Sequence, residues 1–162
     1  MAQARTLQDL FLLTLKDIYH GEKQILKALP KMAKQAGSSE LKQAFERHRD
    51  ETLQQVERLE RVFEMMQKPA RGQTCEAIEG LIAEGQEVME EAEQDAVKDA
   101  GMIAAGQAIE HYEIARYGTL CAWAKELGMD DAAALLHETL EEEKKTDELL
   151  NKLSRNINRQ AA

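Results

Sequence analysis

The sequence predicts an all-α protein built as a single domain, on three observations. The chain is rich in Ala, Leu, Glu, Lys and Gln, which are good helix formers, and has only three Phe, three Tyr, one Trp and two Pro. Apolar residues recur at intervals of three and four along nearly its whole length, the period of an amphipathic helix. At 162 residues and 43% hydrophobic content it can bury a sizeable core, which argues against a disordered tail protein.

The elements follow from the stops between periodic stretches. Ala36-Gly37-Ser38-Ser39 offers a glycine to close one helix and a serine to cap the next. Lys68-Pro69-Ala70-Arg71-Gly72 is a second break, and Gly128-Met129-Asp130-Asp131 a third, with glycine as stop and aspartate as cap. A weaker break falls at Asp99-Ala100-Gly101. Helices are therefore expected over about 5–35, 39–67, 74–97, 101–127 and 131–157. Pro30 lies inside the first pattern and should bend it. The first two helices share a tight loop, as do the last two, and the middle segment must carry the chain from one hairpin to the other. Four long helices with one long crossover form the ferritin-like bundle, whose metal sites are assembled from inward-facing carboxylates.

Acids interrupt the apolar stripes in the middle of those helices. The first helix reads Leu15, Ile18, Glu22, Ile25, Leu29, Met32, so Glu22 holds a core position. The second reads Phe45, His48, Glu51 with Thr52, Gln55, Leu59, Val62. The fourth reads Ile103, Gln107, Glu110, Ile114, Tyr117, Cys121, Ala124, with Glu113 slightly off the stripe. The fifth reads Leu136, Leu140, Glu143, Asp147, Leu150, Leu153, Ile157. In an antiparallel hairpin, facing residues have numbers that sum to twice the loop centre. The pairs Glu22 with Glu51, Glu110 with Asp147 and Glu113 with Glu143 all meet that condition to within about one residue, or ~1.5 Å of rise.

Carboxylates converging in a low-dielectric core must be protonated, paired or metal-bound. Lys and Arg are scarce on the same stripes, so the expected cofactor is iron or manganese. The candidate ligands are Glu22, Glu51, Glu110, Glu113, Glu143 and Asp147, with His48 and Gln55 as candidates to hold those ligands in place. Tyr112 and Tyr117 read as core aromatics whose hydroxyls find a partner.

Other classes find little support. The net charge of −9 opposes nucleic-acid binding, and the basic residues near the C-terminus, Lys152, Arg155 and Arg159, are too sparse to reverse it. There is no Gly-rich phosphate loop and no nucleophilic triad in a recognisable context. Cys75 and Cys121 have neither zinc nor redox spacing and read as reduced apolar residues. The first twenty residues lack the pattern of a signal peptide and no stretch is apolar enough to span a membrane, so the cytoplasm is the expected compartment.

Five stretches, YHGEKQILKALPKMA, AFERHRDETLQQVERLE, CEAIEGLIAEG, EHYEIARYGTL and LLHETLEEEKKTDELL, together resemble the YciE/YciF family of bacterial stress proteins over roughly residues 6–155. The resemblance implies a ferritin-like core with an extra helix, a homodimer, a cytoplasmic setting and a dinuclear metal site. It implies no reaction. Its carboxylates would fall on Glu22, Glu51, Glu110, Glu113, Glu143 and Asp147. Ferritin-like di-iron proteins at large carry Glu-x-x-His on two helices, whereas here Glu51, Glu110 and Glu143 are followed three residues on by Gln54, Glu113 and Thr146. Two functions are therefore expected from different classes: oxidant defence or iron handling at a metal centre, or a metal-free helical dimer that binds a partner protein under stress.

Overall fold

The computed structural model describes residues 4–162 and consists of five helices: α1 (Leu7–Gln35), α2 (Ser39–Met65), α3 (Glu76–Glu91), α4 (Asp95–Glu126) and α5 (Asp130–Ala161). Their ends follow local chemistry. Thr6 and Asp9 form a reciprocal capping box at the start of α1, and the Ser38 hydroxyl accepts from Leu41 N at 3.3 Å at the start of α2. Gly128, at φ +69°, reverses the chain after α4 in the left-handed conformation that a Cβ disfavours. α1 runs through Pro30 as one helix.

Four helices form the bundle, in which α1 packs on α2 and α4, and α5 packs on α2 and α4. The tight loops make α1 and α2 antiparallel, and likewise α4 and α5. Contacts between Gly37 and Asp99 at one end, and between Glu22 and Tyr117 further along, make α1 and α4 antiparallel as well. The segment after α2 returns along α1, where Gln73 N donates to Lys16 O at 3.1 Å, and α3 then lies outside the bundle against α1 and α4. This is the ferritin-like arrangement with its crossover helix.

The break before α4 lies at 92–94 and not at Gly101, which sits inside α4. Gly101 has a packing reason: a Cβ there would come within 2.1 Å of Val88 Cγ1 on α3. The glycine lets two helices approach, and it does not stop one. At the α1–α2 turn, Asp99 is 3% exposed and accepts from Gly37 N at 2.8 Å and Ser38 N at 2.7 Å. One carboxylate thus satisfies the free amides of that turn and ties it to α4.

The core has two apolar halves. Phe11, Leu15, Ile18, Leu59, Val62, Phe63, Leu120 and Leu136 pack at the end where α1 and α5 begin. Ile25, Leu29, Leu41, Phe45, Met102, Ile103 and Leu150 pack at the other, joined by Ile78 and Met89 of α3. Between the halves lies a layer of buried polar side chains, Glu22, His48, Thr52, Gln55, Glu110, Glu113, Glu143 and Thr146.

Candidate metal centre

Each bundle helix contributes to the polar layer from the middle of its buried seam: Glu22 from α1, His48, Thr52 and Gln55 from α2, Glu110 and Glu113 from α4, and Glu143 and Thr146 from α5. His48, Glu110, Glu113 and Glu143, from α2, α4, α4 and α5, are all buried and can each bring one ligand atom within 4.8 Å of the others. His48 Nε2 stands 3.1 Å from Glu110 Oε1 and 3.9 Å from Glu143 Oε2. On the opposite edge of the imidazole, Nδ1 lies 3.5 Å from Thr146 Oγ1 and 3.8 Å from Glu51 Oε2. Glu22, fully buried on α1, accepts a hydrogen bond from the Tyr117 hydroxyl.

Electrostatics at this layer is costly. Burial pushes the Glu113 and Glu143 carboxyls well above the usual carboxylate range, and the charges of neighbouring glutamates push them further. Burial also raises Glu22, to about 7, against the opposing hydrogen bond from Tyr117. Burial pulls the His48 imidazole down, but the charge of Glu110 and the further acids beside it outweigh that and hold it well above its ordinary value. The Tyr117 hydroxyl is raised by burial and by the Glu22 and Glu113 charges.

Seven buried atoms of these five ligand candidates have no hydrogen-bond partner: Glu22 Oε2, His48 Nε2, Glu110 Oε2, and both oxygens of Glu113 and of Glu143. Each such atom costs about 1–3 kcal/mol when left unsatisfied. A cation would satisfy several at once. One imidazole nitrogen and a majority of carboxylate oxygens form a donor set suited to iron or manganese, so the residues fit such an ion.

The other sequence candidates lie apart from this set. Glu51 is at the rim, its side chain 35% exposed, touching the group only through His48 Nδ1. Asp147 points to the flank, where it accepts from Gln107 Nε2 and lies within hydrogen-bond reach of His111 Nε2, both at 3.1 Å. Gln55 is fully buried but donates to Glu142 Oε2 at 3.1 Å, outside the group. His48, expected only to support ligands, stands among them. Its signal was visible: α2 carries a histidine three residues before its acid, whereas the search for Glu-x-x-His looks three residues after. Where that pattern would put a histidine on α5 stands Thr146, which contacts His48.

Two further polar groups were not anticipated. Arg58, 8% exposed, makes a bidentate pair with Glu142 at 2.7 Å on both arms, and also donates to Glu138 Oε1 at 2.8 Å and to Thr139 Oγ1 at 3.2 Å. Both cysteines are free and buried; Cys75 is not purely apolar in role, since its Sγ lies 3.3 Å from Asp17 Oδ2 and from the Tyr112 hydroxyl. Among the described residues no helix is long and apolar enough to cross a membrane.

The chain matches a family model described as a domain of unknown function, DUF892, over residues 6–162. It is 46% identical to the protein YciF of Escherichia coli over 159 residues, which covers 97% of this chain and 96% of that protein. The crystal structure of the E. coli stress protein YciF superposes with a TM-score of 0.92 at 46% identity, covering 96% of this chain and 99% of the other. YcfI of Rhodopseudomonas palustris superposes with a TM-score of 0.89 at 49% identity, covering 91% and 94%.

Proposed function

Since the chain belongs to the DUF892 family and is similar to the stress protein YciF from end to end, we propose that it is a stress-response protein whose buried layer holds a dinuclear iron or manganese centre for oxidant defence or iron handling. The observation that carries this reading is the set of seven unpartnered buried ligand atoms. His48, Glu110, Glu113 and Glu143 would hold the metal, with Glu22 completing the set from α1. When bound, iron or manganese supplies one-electron chemistry toward oxidants, or is itself the cargo kept away from them.

The chain's own residues do the rest. Tyr117 donates to one oxygen of Glu22 and leaves the other free, which fixes the direction in which that carboxylate points. Thr146 and Glu51 occupy the Nδ1 side of His48, so that Nε2 faces Glu110 and Glu143. The two apolar halves exclude water from above and below the layer. Without metal, the raised carboxyls hold protons, and these must leave when an ion enters.

Elemental analysis after anaerobic ferrous or manganous loading tests the reading. Wild-type chain should retain close to two ions through gel filtration, and a Glu110→Ala, Glu143→Ala double variant should retain none. Equal, trace metal in both would overturn it. The second reading, a metal-free helical dimer that binds a partner protein under stress, draws on the same raised carboxyls as a self-neutralised network. It expects no retained metal and unchanged stability after exhaustive chelation.

A further inference from the structure

On the side of the bundle that α3 covers, a cavity of about 190 Å3 opens between α1, α3 and α4, with Lys31, Gln35 and Glu90 at its wall. A second, smaller space of about 20 Å3 is lined by Ile25, Leu29, Phe45 and Leu150, and also by His48 and Glu110. That is room for about one or two water-sized molecules. Ala28, Met32 and Ile109 belong to the walls of both spaces, which places these three side chains where the two adjoin.

The chemistry of that junction selects what could cross it. A cation would have to shed its hydration shell among alkyl groups and a thioether, with no carboxylate to replace it. A strongly hydrogen-bonding molecule likewise meets no partner at the junction, whereas small apolar species occupy dry apolar cavities readily. Gly106 also lines the inner space, where a Cβ would stand 3.2 Å from Leu150 Cδ1, so a larger residue there would crowd it. At the inner end, Glu110 Oε2 is buried with no hydrogen-bond partner, and His48 Nε2 stands 3.1 Å from the other oxygen of the same carboxylate.

We propose that these two spaces are a binding route for a small apolar molecule of the class of dioxygen, entering between α1, α3 and α4 and ending at His48 and Glu110, with Ala28, Met32 and Ile109 as its gate. What the route serves rests on the metal-centre reading, but its existence does not, and it is tested on the metal-free full chain. Dissolved dioxygen is paramagnetic and speeds the relaxation of methyl groups it reaches. In methyl-labelled protein under raised dioxygen pressure, Ile25, Leu29 and Leu150 should relax faster in proportion to pressure. Leu15, Leu59 and Leu120, equally buried in the other half of the core, should not. Ala28→Leu should reduce the effect at Leu29 and Leu150 severalfold while leaving Met89, in the outer cavity, unchanged. Ile109→Ala should increase it, and gives an independent reading where the larger side chain disturbs folding. Inner methyls no more affected than Leu15 and Leu120, or inner effects indifferent to both substitutions, would overturn the route. Absence of bound metal in the loading experiment would overturn the metal centre alone.

Discussion

A carboxylate with both oxygens buried and unpartnered is a costly thing to keep in a core, and Glu113 and Glu143 are both in that state. Glu113 is compensated by holding a proton, because burial and the Glu22, Glu143 and Glu110 charges around it all raise its carboxyl. Replacing it by its neutral isostere, Glu113→Gln, should therefore stabilise the metal-free chain by about 1–3 kcal/mol in denaturant titration, while lowering metal retention. A loss of stability in the metal-free form would show that the acid is satisfied there in a way the geometry does not reveal. Tyr117→Phe tests the neighbouring contact: it removes the donor to Glu22, and should cost about 1–2 kcal/mol in the metal-free chain through one more orphaned oxygen. Much of this layer was legible in the sequence, since Glu22, Glu110 and Glu143 interrupt runs of residues that turn out buried on both sides of them, whereas Glu113, read as slightly off the α4 stripe, is fully buried while Ile114 on that stripe is only half-buried. The Glu22–Tyr117 contact was legible only as a class, an aromatic hydroxyl in need of a partner, because pairing across helices depends on register to within a fraction of a turn.

Why Glu51 and Asp147 fell outside is a matter of helix geometry. The buried seam of α2 runs Leu41, Phe45, His48, Thr52, Gln55, Leu59, Val62, a strict alternation of steps of four and three. Glu51 is one residue off it, which turns its side chain about 100° toward solvent. In α5 the seam takes Leu136, Thr139, Glu143, Thr146 and Leu150, leaving Asp147 on the flank. Threonines hold seam places in both helices, and a search for apolar stripes passes over them in favour of the acid beside them. The helix ends were legible where glycine and serine mark a sharp turn, at Gly37-Ser38 and Gly128. They were not at Gly101, where the same residue serves close packing on Val88. Arg58 fastens α2 to α5 through Glu142, Glu138 and Thr139, and Arg58→Met should lower stability by about 2 kcal/mol, less than a fully buried pair would, because Glu142 is 20% and Glu138 58% exposed. Asp99→Ala, which frees two amides at the α1–α2 turn, should cost about 2 kcal/mol, and amide exchange should speed up first at Gly37 and Ser38. Uniform protection loss across the bundle in that variant would contradict a local clasp.

For the molecule as a whole, the two apolar halves are joined across a layer that is neutralised by protons in the metal-free chain and, on the proposed function, by an ion when one binds, and the two forms should respond to pH with opposite sign. In the metal-free chain the Glu22 carboxyl sits at about 7, above an ordinary value near 4.5, so the folded state holds this proton more tightly than the unfolded chain. Its contribution to stability is complete below about 4.5 and is lost progressively as pH rises through about 7. Glu113 and Glu143, raised by the same burial, act in the same direction. Exposed acids such as Asp9 and Glu141, whose carboxyls are lowered by their hydrogen-bond partners, act in the opposite direction at more acid pH, so comparison with Glu22→Gln isolates the Glu22 contribution. The unfolding midpoint of chelated wild type minus that of the variant should therefore fall as pH climbs from 4.5 to 7. If the layer holds metal as proposed, the ion should reverse the trend, because its ligands must be deprotonated and every ion bound displaces protons. With manganous ion in excess, the same difference should rise with pH, and free metal at 100 times the dissociation constant should add about 2.7 kcal/mol to stability. Calorimetric scans across that pH range, with chelator and with manganese, put both signs on one axis. A difference that is flat without metal would remove the Glu22 proton from the account, and one that metal leaves unmoved would remove Glu22 as a ligand.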